Sequence, residues 1–215
     1  ILNDSSLQTQ TNRHLARTRN LDDKEITELL VYGPDFMGLF AIIAHELDRM
    51  QLDVLAARIA TTDQQRAWNI YQIVNEHGLP LHPSDADRLE HAVMQQLISQ
   101  DVRPLTHCAI PRRLRPFITE SKLRFESVET DLGSRTRLDI MTTDRPGLLS
   151  MIAAVFLESR MRLYDARVAT FGQRVEDVFL IGTESGEALS KEEIEQLEQH
   201  LRDQLDPGLK ASASG

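Results

Sequence analysis

The sequence has little of what several protein classes require. Cys108 is its only cysteine, so a disulfide within the chain is excluded, and a reducing, cytoplasmic setting is the simplest expectation. Its apolar runs stay well short of the ~18 residues that a membrane-spanning helix needs. It has no signal peptide and begins with Ile1 instead of Met, which predicts a piece of a longer protein.

Cations and aromatic rings are also scarce. The chain has 24 Lys and Arg against 33 Asp and Glu, a formal net charge of −9, and its aromatic content is 5%. Nucleic acids and anionic membranes bind basic surfaces, and RNA-recognition domains also need stacking aromatics. We therefore expect neither nucleic acid nor membrane as a partner. The remaining composition, 41% hydrophobic and 27% charged, is typical of a globular protein.

An internal repeat determines the domain organisation. Residues 31–61 align without a gap with residues 140–170, and after a one-residue slip residues 69–71 align with residues 177–179. One unit is therefore used twice. The identical pairs include Asp35/Asp144, Gly38/Gly147, Leu39/Leu148, Ala57/Ala166, Arg58/Arg167 and Thr61/Thr170.

The apolar periodicity predicts the same succession of elements in each unit. In the first unit these are a strand at 26–32, a helix at 36–50, strands at 52–61 and 66–74, and a helix at about 84–99 capped by Ser84 or Asp85. In the second unit they are a strand at 138–141, a helix at 146–159, strands at 162–171 and 175–182, and a helix at 191–205 capped by Ser190.

The order β-α-β-β-α is the ferredoxin-like arrangement without its fourth strand. Residues 123–129 alternate as a strand and form a hairpin with the strand that follows, so they can fill that place in the second unit; residues 7–12 are the candidate in the first. The predicted class is α+β, two ferredoxin-like (βαββαβ) domains in tandem. The predicted bounds are a lead-in at 1–25, domains at 26–100 and 122–207, a proline-containing linker at 101–121 and an unstructured tail at 208–215.

The turn after the first strand of each unit has a suggestive chemistry. In the second unit it reads Asp144-Arg145-Pro146-Gly147-Leu148. An Asp at a helix N-cap accepts hydrogen bonds from first-turn amides, Pro fits in that first turn, and Gly permits close approach of a ligand. Helix-start amides suit a carboxylate and the Asp suits an ammonium group, so the turn can receive an amino-acid zwitterion. The same residues also make a good strand-to-helix connection without any ligand.

These motifs resemble a known domain family. Asp-Arg-Pro-Gly-Leu-Leu before an amphipathic helix, followed by the strand LYDARVAT at 163–170, looks like an ACT domain. The stretch DARVATFGQRVEDVFLI at 165–181 is similar to the last domain of the bifunctional uridylyltransferase/uridylyl-removing enzymes of bacterial nitrogen control. The tandem arrangement and the amino-acid sequence of the first helix also fit the C-terminal region of that family. The resemblance covers residues 28–207.

The resemblance implies a regulatory role. Enzymes of that family attach UMP to PII signalling proteins when glutamine is scarce and remove it when glutamine is plentiful, and their ACT pair is the expected glutamine sensor. It implies L-glutamine as the effector, no cofactor in this chain, and Mg²⁺ or Mn²⁺ for the parent enzyme. The implied partners are the catalytic domains of the same protein, PII through the parent enzyme, and a second copy through the ACT sheets.

Carried over position by position, the resemblance implies two sets of ligand-facing residues. In the second unit they are Asp144, Arg145, Gly147, Leu148, Tyr164, Asp165 and Ala166. In the first unit they are Asp35, Phe36, Gly38, Leu39, Leu55, Ala56 and Ala57. The residues of the first unit are less polar than those of the second, since Phe36 aligns with Arg145 and Ala56 aligns with Asp165.

We expect no catalytic residue and no metal ligand in this chain. A nucleotidyltransferase needs Gly-Ser followed by two metal-binding acids; Gly133-Ser134 precedes Asp139, but Met141 stands in place of the second acid. No His-Asp pair of the metal-hydrolase kind occurs. Two alternatives stay open: a structural module that holds an enzyme dimer together, because exposed sheet edges invite pairing, and the amino-acid-sensing ACT pair of another metabolic enzyme.

Overall fold

The computed structural model of the protein describes residues 13–21, 23–100, 120–131 and 133–206. The chain forms two compact units, a first unit up to Val102 and a second unit from Arg103. Each unit has the element order strand, strand, helix, strand, strand, helix.

The first unit is an antiparallel sheet with two helices. Its strand order is β1-β2-β4-β3. The elements are β1 (Leu15–Leu21), β2 (Ile26–Pro34), α1 (Leu39–Arg49), β3 (Asp53–Thr61), β4 (Arg66–Val74) and α2 (Pro83–Ser99).

The second unit repeats this architecture. Its strand order is β5-β6-β8-β7, again antiparallel throughout. The elements are β5 (Lys122–Thr130), β6 (Gly133–Thr143), α3 (Leu148–Glu158), β7 (Arg162–Phe171), β8 (Arg174–Gly182) and α4 (Lys191–Leu205).

The predicted fold class, two ferredoxin-like ACT-type domains in tandem, is confirmed. As expected, the strand that completes the sheet of the second unit is β5, which comes before the other strands of that unit in the chain. It pairs with β6 from Lys122–Met141 to Thr130–Gly133. The strand proposed at residues 7–12 lies outside the described residues. Within them, Leu15–Leu21 of the predicted lead-in pairs with β2 and takes that place in the first unit.

Alternation along the strands buries one face of each sheet. On β8, Val175, Phe179 and Ile181 are almost inaccessible, because period-2 geometry points them to the same side. The stripe of α1 that includes Ile43 and Leu47 is equally buried. Burial of such a side chain contributes roughly 1.5–3 kcal/mol, so these rows hold each unit together.

The helix starts differ in part from those predicted. Ser190 caps α4 as expected: its Oγ accepts from the Glu193 N–H, and Glu193 Oε2 accepts from the Ser190 N–H at 2.8 Å. The cap of α2 is His82, not Ser84 or Asp85, because Pro83 fixes the first helical residue immediately after it.

The helices that follow the two turns, α1 and α3, begin later than predicted. Gly147 is the N-cap residue of α3, with no side-chain cap, and the helix starts at Leu148. Asp144 is therefore not the N-cap, and Pro146 precedes the helix. The reason is that Gly147 takes the left-handed conformation, φ 74°, which interrupts helical geometry before Leu148.

Some expectations concern residues that the structure does not describe. Cys108, the prolines of the linker and the tail at 208–215 lie outside the described residues. Ser121, at the predicted end of the linker, belongs to the second unit: it is buried and its N–H donates to the Asp206 carboxylate at 3.2 Å. In the described part of the chain, no helix combines the length and apolar character needed to cross a bilayer.

Candidate ligand-binding turns

The turn of the second unit is fixed by backbone hydrogen bonds. The Asp144 N–H donates to the carbonyl oxygen of Gln173, between β7 and β8, at 2.9 Å, and the Leu148 N–H donates to the Arg145 carbonyl at 3.2 Å. Asp144 itself is exposed. The turn therefore lies against the β7–β8 hairpin and presents its acidic residue to solvent.

The first unit builds the same turn with the same bonds. The Asp35 N–H donates to the Gln65 carbonyl at 2.8 Å, and the Leu39 N–H donates to the Phe36 carbonyl at 3.1 Å. Gly38 is left-handed, as Gly147 is. Here, however, the carboxylate is half-buried and accepts from Thr61 Oγ1 at 3.3 Å.

Arg145 points into the second unit. It is 5% exposed, and its Nη2 donates to the Gln204 carbonyl oxygen at 3.1 Å, at the C-terminal end of α4. Burial lowers the pKa of Arg145, and the nearby Asp206 partly offsets this. A guanidinium at a helix C-terminus is favourable because it satisfies a terminal carbonyl and complements the helix dipole.

Phe36 takes the position of Arg145 in the first unit. Its ring meets the His14 ring edge-on, with 5.7 Å between centroids, and His14 Nε2 donates to the Pro34 carbonyl at 2.9 Å. Burial lowers the pKa of His14. The corresponding contact in the first unit is therefore aromatic, whereas in the second it is a charged hydrogen bond.

The predicted strand residues lie at a bulge in each unit. The β3–β4 register shifts between Val54 and Ala56, and the β7–β8 register shifts between Leu163 and Asp165. Leu55 and Tyr164 occupy the two shifts. Tyr164 is 8% exposed and lies beneath the Arg135 guanidinium, 4.4 Å from its ring centroid.

Within a unit, the turn and the bulge lie at opposite ends of the sheet. β6 and β7 both pair antiparallel with β8, so they run parallel to each other. Asp144 follows the end of β6, whereas Tyr164 is near the start of β7. From Asp165 to Phe171, near the turn, the strand rises about 20 Å. One small ligand within a unit therefore cannot touch both, and ligand contact by the strand set stays a prediction.

Five of the predicted residues belong to the buried apolar core. Besides Tyr164, these are Leu39, Ala57, Leu148 and Ala166, each at most 7% exposed. Leu39 and Leu148 pack at the helix starts, whereas Ala57 and Ala166 pack on the strands, so a ligand at the surface would meet other atoms. Of the predicted turn residues, Asp144 is exposed, and Asp35, Phe36, Gly38 and Gly147 are partly exposed.

The structure reveals a buried polar position that sequence reasoning missed. Asp177 is 2% exposed, and its Oδ1 accepts from the Ala169 N–H at 3.3 Å. Burial, aided by the charge of Asp144 and opposed by the Ala169 bond, raises the pKa of Asp177 to about 7. The aligned Asn69 is 1% exposed, and its Oδ1 has no hydrogen-bond partner among the described residues. The signal was available: both interrupt an otherwise apolar alternation.

Other places with ligand-binding chemistry lie away from the turns. A cavity of about 450 Å³ in the first unit opens at the end of α1, between Arg49, Leu52, His77 and Arg88. None of the predicted residues lines it. Across residues 13–21, 23–100, 120–131 and 133–206, no group of three or more His, Cys, Asp or Glu side chains is placed to hold a metal ion.

Comparison with solved structures adds little to this geometry. The aspartate kinase from Synechocystis is similar over 85% of this chain and 28% of that chain, at 14% sequence identity and a TM-score of 0.43. This TM-score is too low for the likeness to support an inference about this chain. No model of a known protein family matches the chain.

Curated relatives give a clearer result. The bifunctional uridylyltransferase/uridylyl-removing enzyme of Psychrobacter arcticus is 34% identical over 185 residues, covering 84% of this chain and 20% of the enzyme. The enzyme of the same name from Xanthomonas axonopodis pv. citri is 34% identical over 204 residues, 94% of this chain and 22% of the enzyme. The resemblance stated from the sequence is thus confirmed. Over most of its length the chain is similar to bifunctional uridylyltransferase/uridylyl-removing enzymes, and it spans about a fifth of the length of each of them.

Proposed function

We propose that this chain is the glutamine-sensing regulatory region of a bifunctional uridylyltransferase/uridylyl-removing enzyme. It would control the attachment of UMP to PII signalling proteins and its removal. The observation that carries the proposal is the Asp-x-x-Gly turn, built twice with the same backbone bonds. The similarity to enzymes named for those two activities supports it.

The turn of the second unit suits an α-amino acid. The exposed Asp144 carboxylate can accept from an α-ammonium group. The start of α3, which has no side-chain cap, can attract the α-carboxylate through its amides and dipole. A zwitterion presents both charges, so a turn that offers a carboxylate and a helix start favours amino acids over simple anions or cations.

The two units are expected to differ in affinity. Asp35 is half-buried and already accepts from Thr61 Oγ1, whereas Asp144 is exposed. The half-buried Asp35 carboxylate is less accessible to a ligand than the exposed Asp144 carboxylate, so we propose that the second unit binds glutamine more tightly.

A pairing module is the second candidate. Within the described residues, β1 and β5 each pair on one side only, and an open strand edge can add a strand from another copy. Along β5, the charged residues Lys122, Arg124, Glu126 and Glu129 discourage such addition, since charged edge side chains prevent pairing. The charges along this edge make pairing through β5 the weaker candidate.

Calorimetry with matched variants tests the proposal. L-glutamine is titrated into the protein, with D-glutamine and L-glutamate as controls. Asp144→Asn should weaken binding by about tenfold or more, because a charge-assisted hydrogen bond contributes about 1.5–3 kcal/mol. Asp35→Asn is the matched control and should change the main binding event little. Thermal unfolding shows that each variant is folded. No heat and no thermal stabilisation by L-glutamine would reject the sensor.

A further inference from the structure

Buried polar side chains are gathered at one corner of the second unit, where the end of α4 meets the start of β5 and the turn that precedes α3. Four side chains form this polar corner, and each is at most 7% exposed: Ser121, Thr142, Arg145 and Asp206. A polar group at this depth costs free energy unless it is hydrogen-bonded. The bonds that offset this cost connect segments that are far apart in the chain.

Ser121 takes part in most of the hydrogen bonds of the polar corner. Its N–H donates to both carboxylate oxygens of Asp206 at 3.2 Å, and its Oγ donates to Asp206 Oδ1 at 2.8 Å. Thr142 Oγ1 lies 2.8 Å from Ser121 Oγ, and Arg202 Nη1 donates to the Ser121 carbonyl oxygen at 3.2 Å. The last turn of α4 and its C-cap residue therefore hold the residue immediately before β5.

Arg145 reaches the same place from the turn. Its Nη2 donates to the carbonyl oxygen of Gln204, two residues before Asp206, and lies 3.5 Å from Met151 Sδ. Its Nε and Nη1 are buried and have no hydrogen-bond partner among the described residues. Burial lowers the pKa of Arg145, and the charge of Asp206 acts against this shift. The buried guanidinium thus depends on the end of α4 for both a hydrogen bond and a counter-charge.

The fold does not require a polar corner. The internal repeat and the registers of β1 and β5 place four other residues at these positions in the first unit: His14, Gly33, Phe36 and Ile98. His14 and Phe36 meet there edge-on, and Ile98 is 70% exposed. The first unit therefore closes the same corner with neither a carboxylate nor a guanidinium. Because buried charges are costly compared with apolar packing, the polar corner of the second unit needs a separate explanation.

We propose that Arg145 is a positioning residue that couples the turn of the second unit to the contact between Asp206 and Ser121. Arg145 directly follows Asp144, so one backbone segment presents an acid to solvent and a guanidinium to the end of α4. A ligand at Asp144 fixes this segment and thereby favours the closed contact, and by linkage the closed contact strengthens ligand binding by the same factor.

The link to a ligand rests on the proposed function, because it takes this turn as the glutamine site. It deepens that function by naming a route of regulation. Ser121 lies where the chain that joins the two units enters the sheet of the second unit. Occupancy of the turn would therefore be felt at the connection between the units.

Amide hydrogen exchange, measured residue by residue by NMR, tests the coupling without any ligand. Arg145→Met removes the guanidinium and should speed exchange of the Ser121 N–H about tenfold or more, because the end of α4 loses a charged hydrogen bond. Phe36→Met, the aligned substitution in the first unit, is the matched control and should leave Ser121 unchanged. Unchanged exchange of Ser121 in Arg145→Met would overturn the proposal. Equal acceleration of Ser121 and of Phe179, on the interior strand β8, would overturn it too, since the effect would then be global unfolding.

A second substitution keeps the test decisive if the methionine variant does not fold. Arg145→Lys retains the positive charge beside Asp206 but loses the planar fork of the guanidinium. Exchange of Ser121 should therefore be faster than in the unaltered protein and slower than in Arg145→Met. A lysine variant with the exchange rate of the unaltered protein and an intact Phe179 amide would contradict the role of the arginine.

L-glutamine, with D-glutamine as the control, tests the link to the turn. At saturation it should slow Ser121 exchange severalfold in the unaltered protein. Asp206→Asn leaves the turn residues in place, so calorimetry should still detect binding, whereas the slowing at Ser121 should be lost. Glutamine binding that leaves Ser121 exchange unchanged in the unaltered protein would overturn the coupling to the ligand. Absence of glutamine binding would instead reject the proposed function, and the Arg145→Met comparison would still decide whether the turn and Ser121 are coupled.

Discussion

The two units have one backbone and differ in how they treat the same positions. On the helix-facing side of the sheet, the first unit buries Asn69 and Tyr71, whereas the second buries Asp177 and Phe179. On the opposite face, the first unit exposes Trp68 where the second has Glu176. The turn glycines, the helix stripes and the strand bulges are shared.

The comparison separates residues that make the fold from residues that adapt it. Gly38 and Gly147, and the backbone bonds of the two turns, are common to both units, so they are required by the strand-to-helix connection. The differing residues are the ones able to give each unit its own charge, pH response and binding surface. Exchanging them between units is the most direct way to test this division.

The largest expected effect comes from Asp177→Asn. A pKa raised from 3.8 to about 7 corresponds to roughly 4 kcal/mol. Because the folded pKa is raised, the contribution of Asp177 to stability is complete below pH 3.8 and is lost as the pH rises through about 7. The substituted asparagine keeps an acceptor for the Ala169 N–H but cannot ionise. Urea unfolding from pH 4 to pH 8 should therefore show a smaller loss of stability in the variant.

Asn69→Asp is the matched exchange in the first unit. It places an ionisable group at a position that is 1% exposed, so stability should fall more steeply between pH 4 and pH 8 than in the unaltered protein. Parallel stability curves for all three proteins would show that this buried position does not titrate with folding.

A smaller effect is expected from exchanging Tyr71 and Phe179. The Tyr71 hydroxyl is fully buried without a hydrogen-bond partner among the described residues, and burial raises the pKa of Tyr71. Tyr71→Phe removes this group and should raise the free energy of unfolding by about 1–2 kcal/mol. Phe179→Tyr adds an unpartnered hydroxyl beside Phe156 and should lower it by about 2–3 kcal/mol. Denaturant unfolding measures both; a stabilising Phe179→Tyr would mean that the second unit has a polar partner to offer.

The smallest effect concerns what the units share. Gly38 and Gly147 have φ of 101° and 74°, where a Cβ costs about 1 kcal/mol. Gly38→Ala and Gly147→Ala should each lower stability by that amount, with additive effects in the double variant. Thermal unfolding gives the comparison. In calorimetry, only Gly147→Ala should also weaken L-glutamine binding; equal weakening by both would indicate two equivalent sites.

Much of the fold could be predicted from the sequence because its signals are local. The alternation in 66–74 and 162–171 and the cap at Ser190 predicted element bounds that the structure reproduces. β1 was harder to predict: Leu15–Leu21 contains four polar residues of seven, and only its register with β2 makes it a strand. The start of α3 was misplaced because an Asp before Pro-Gly resembles a cap until the conformation of the glycine is known.

The site was less predictable because it depends on where side chains point. Arg145 next to an exposed Asp looks like a ligand-binding pair in sequence, yet the structure turns it towards Gln204, almost 60 residues later. The predicted turn and bulge residues are separated by the length of a strand, a fact that emerges only from the β6–β8–β7 pairing. Asp177 was visible as an interruption of an apolar pattern, but its link to Asp144 required the structure.

In each unit the strand that completes the four-stranded sheet, β1 or β5, comes first in the chain, and this affects how the unit folds. When that strand comes last, it must return across the whole domain to reach its neighbour. Here β5 is joined to β6 by a tight hairpin and β1 to β2 by a short turn, so the pairs that complete the sheets close small loops. Low contact order of this kind favours rapid folding. The β5–β6 and β1–β2 hairpins can therefore form early and serve as templates on which the remaining strands and helices assemble.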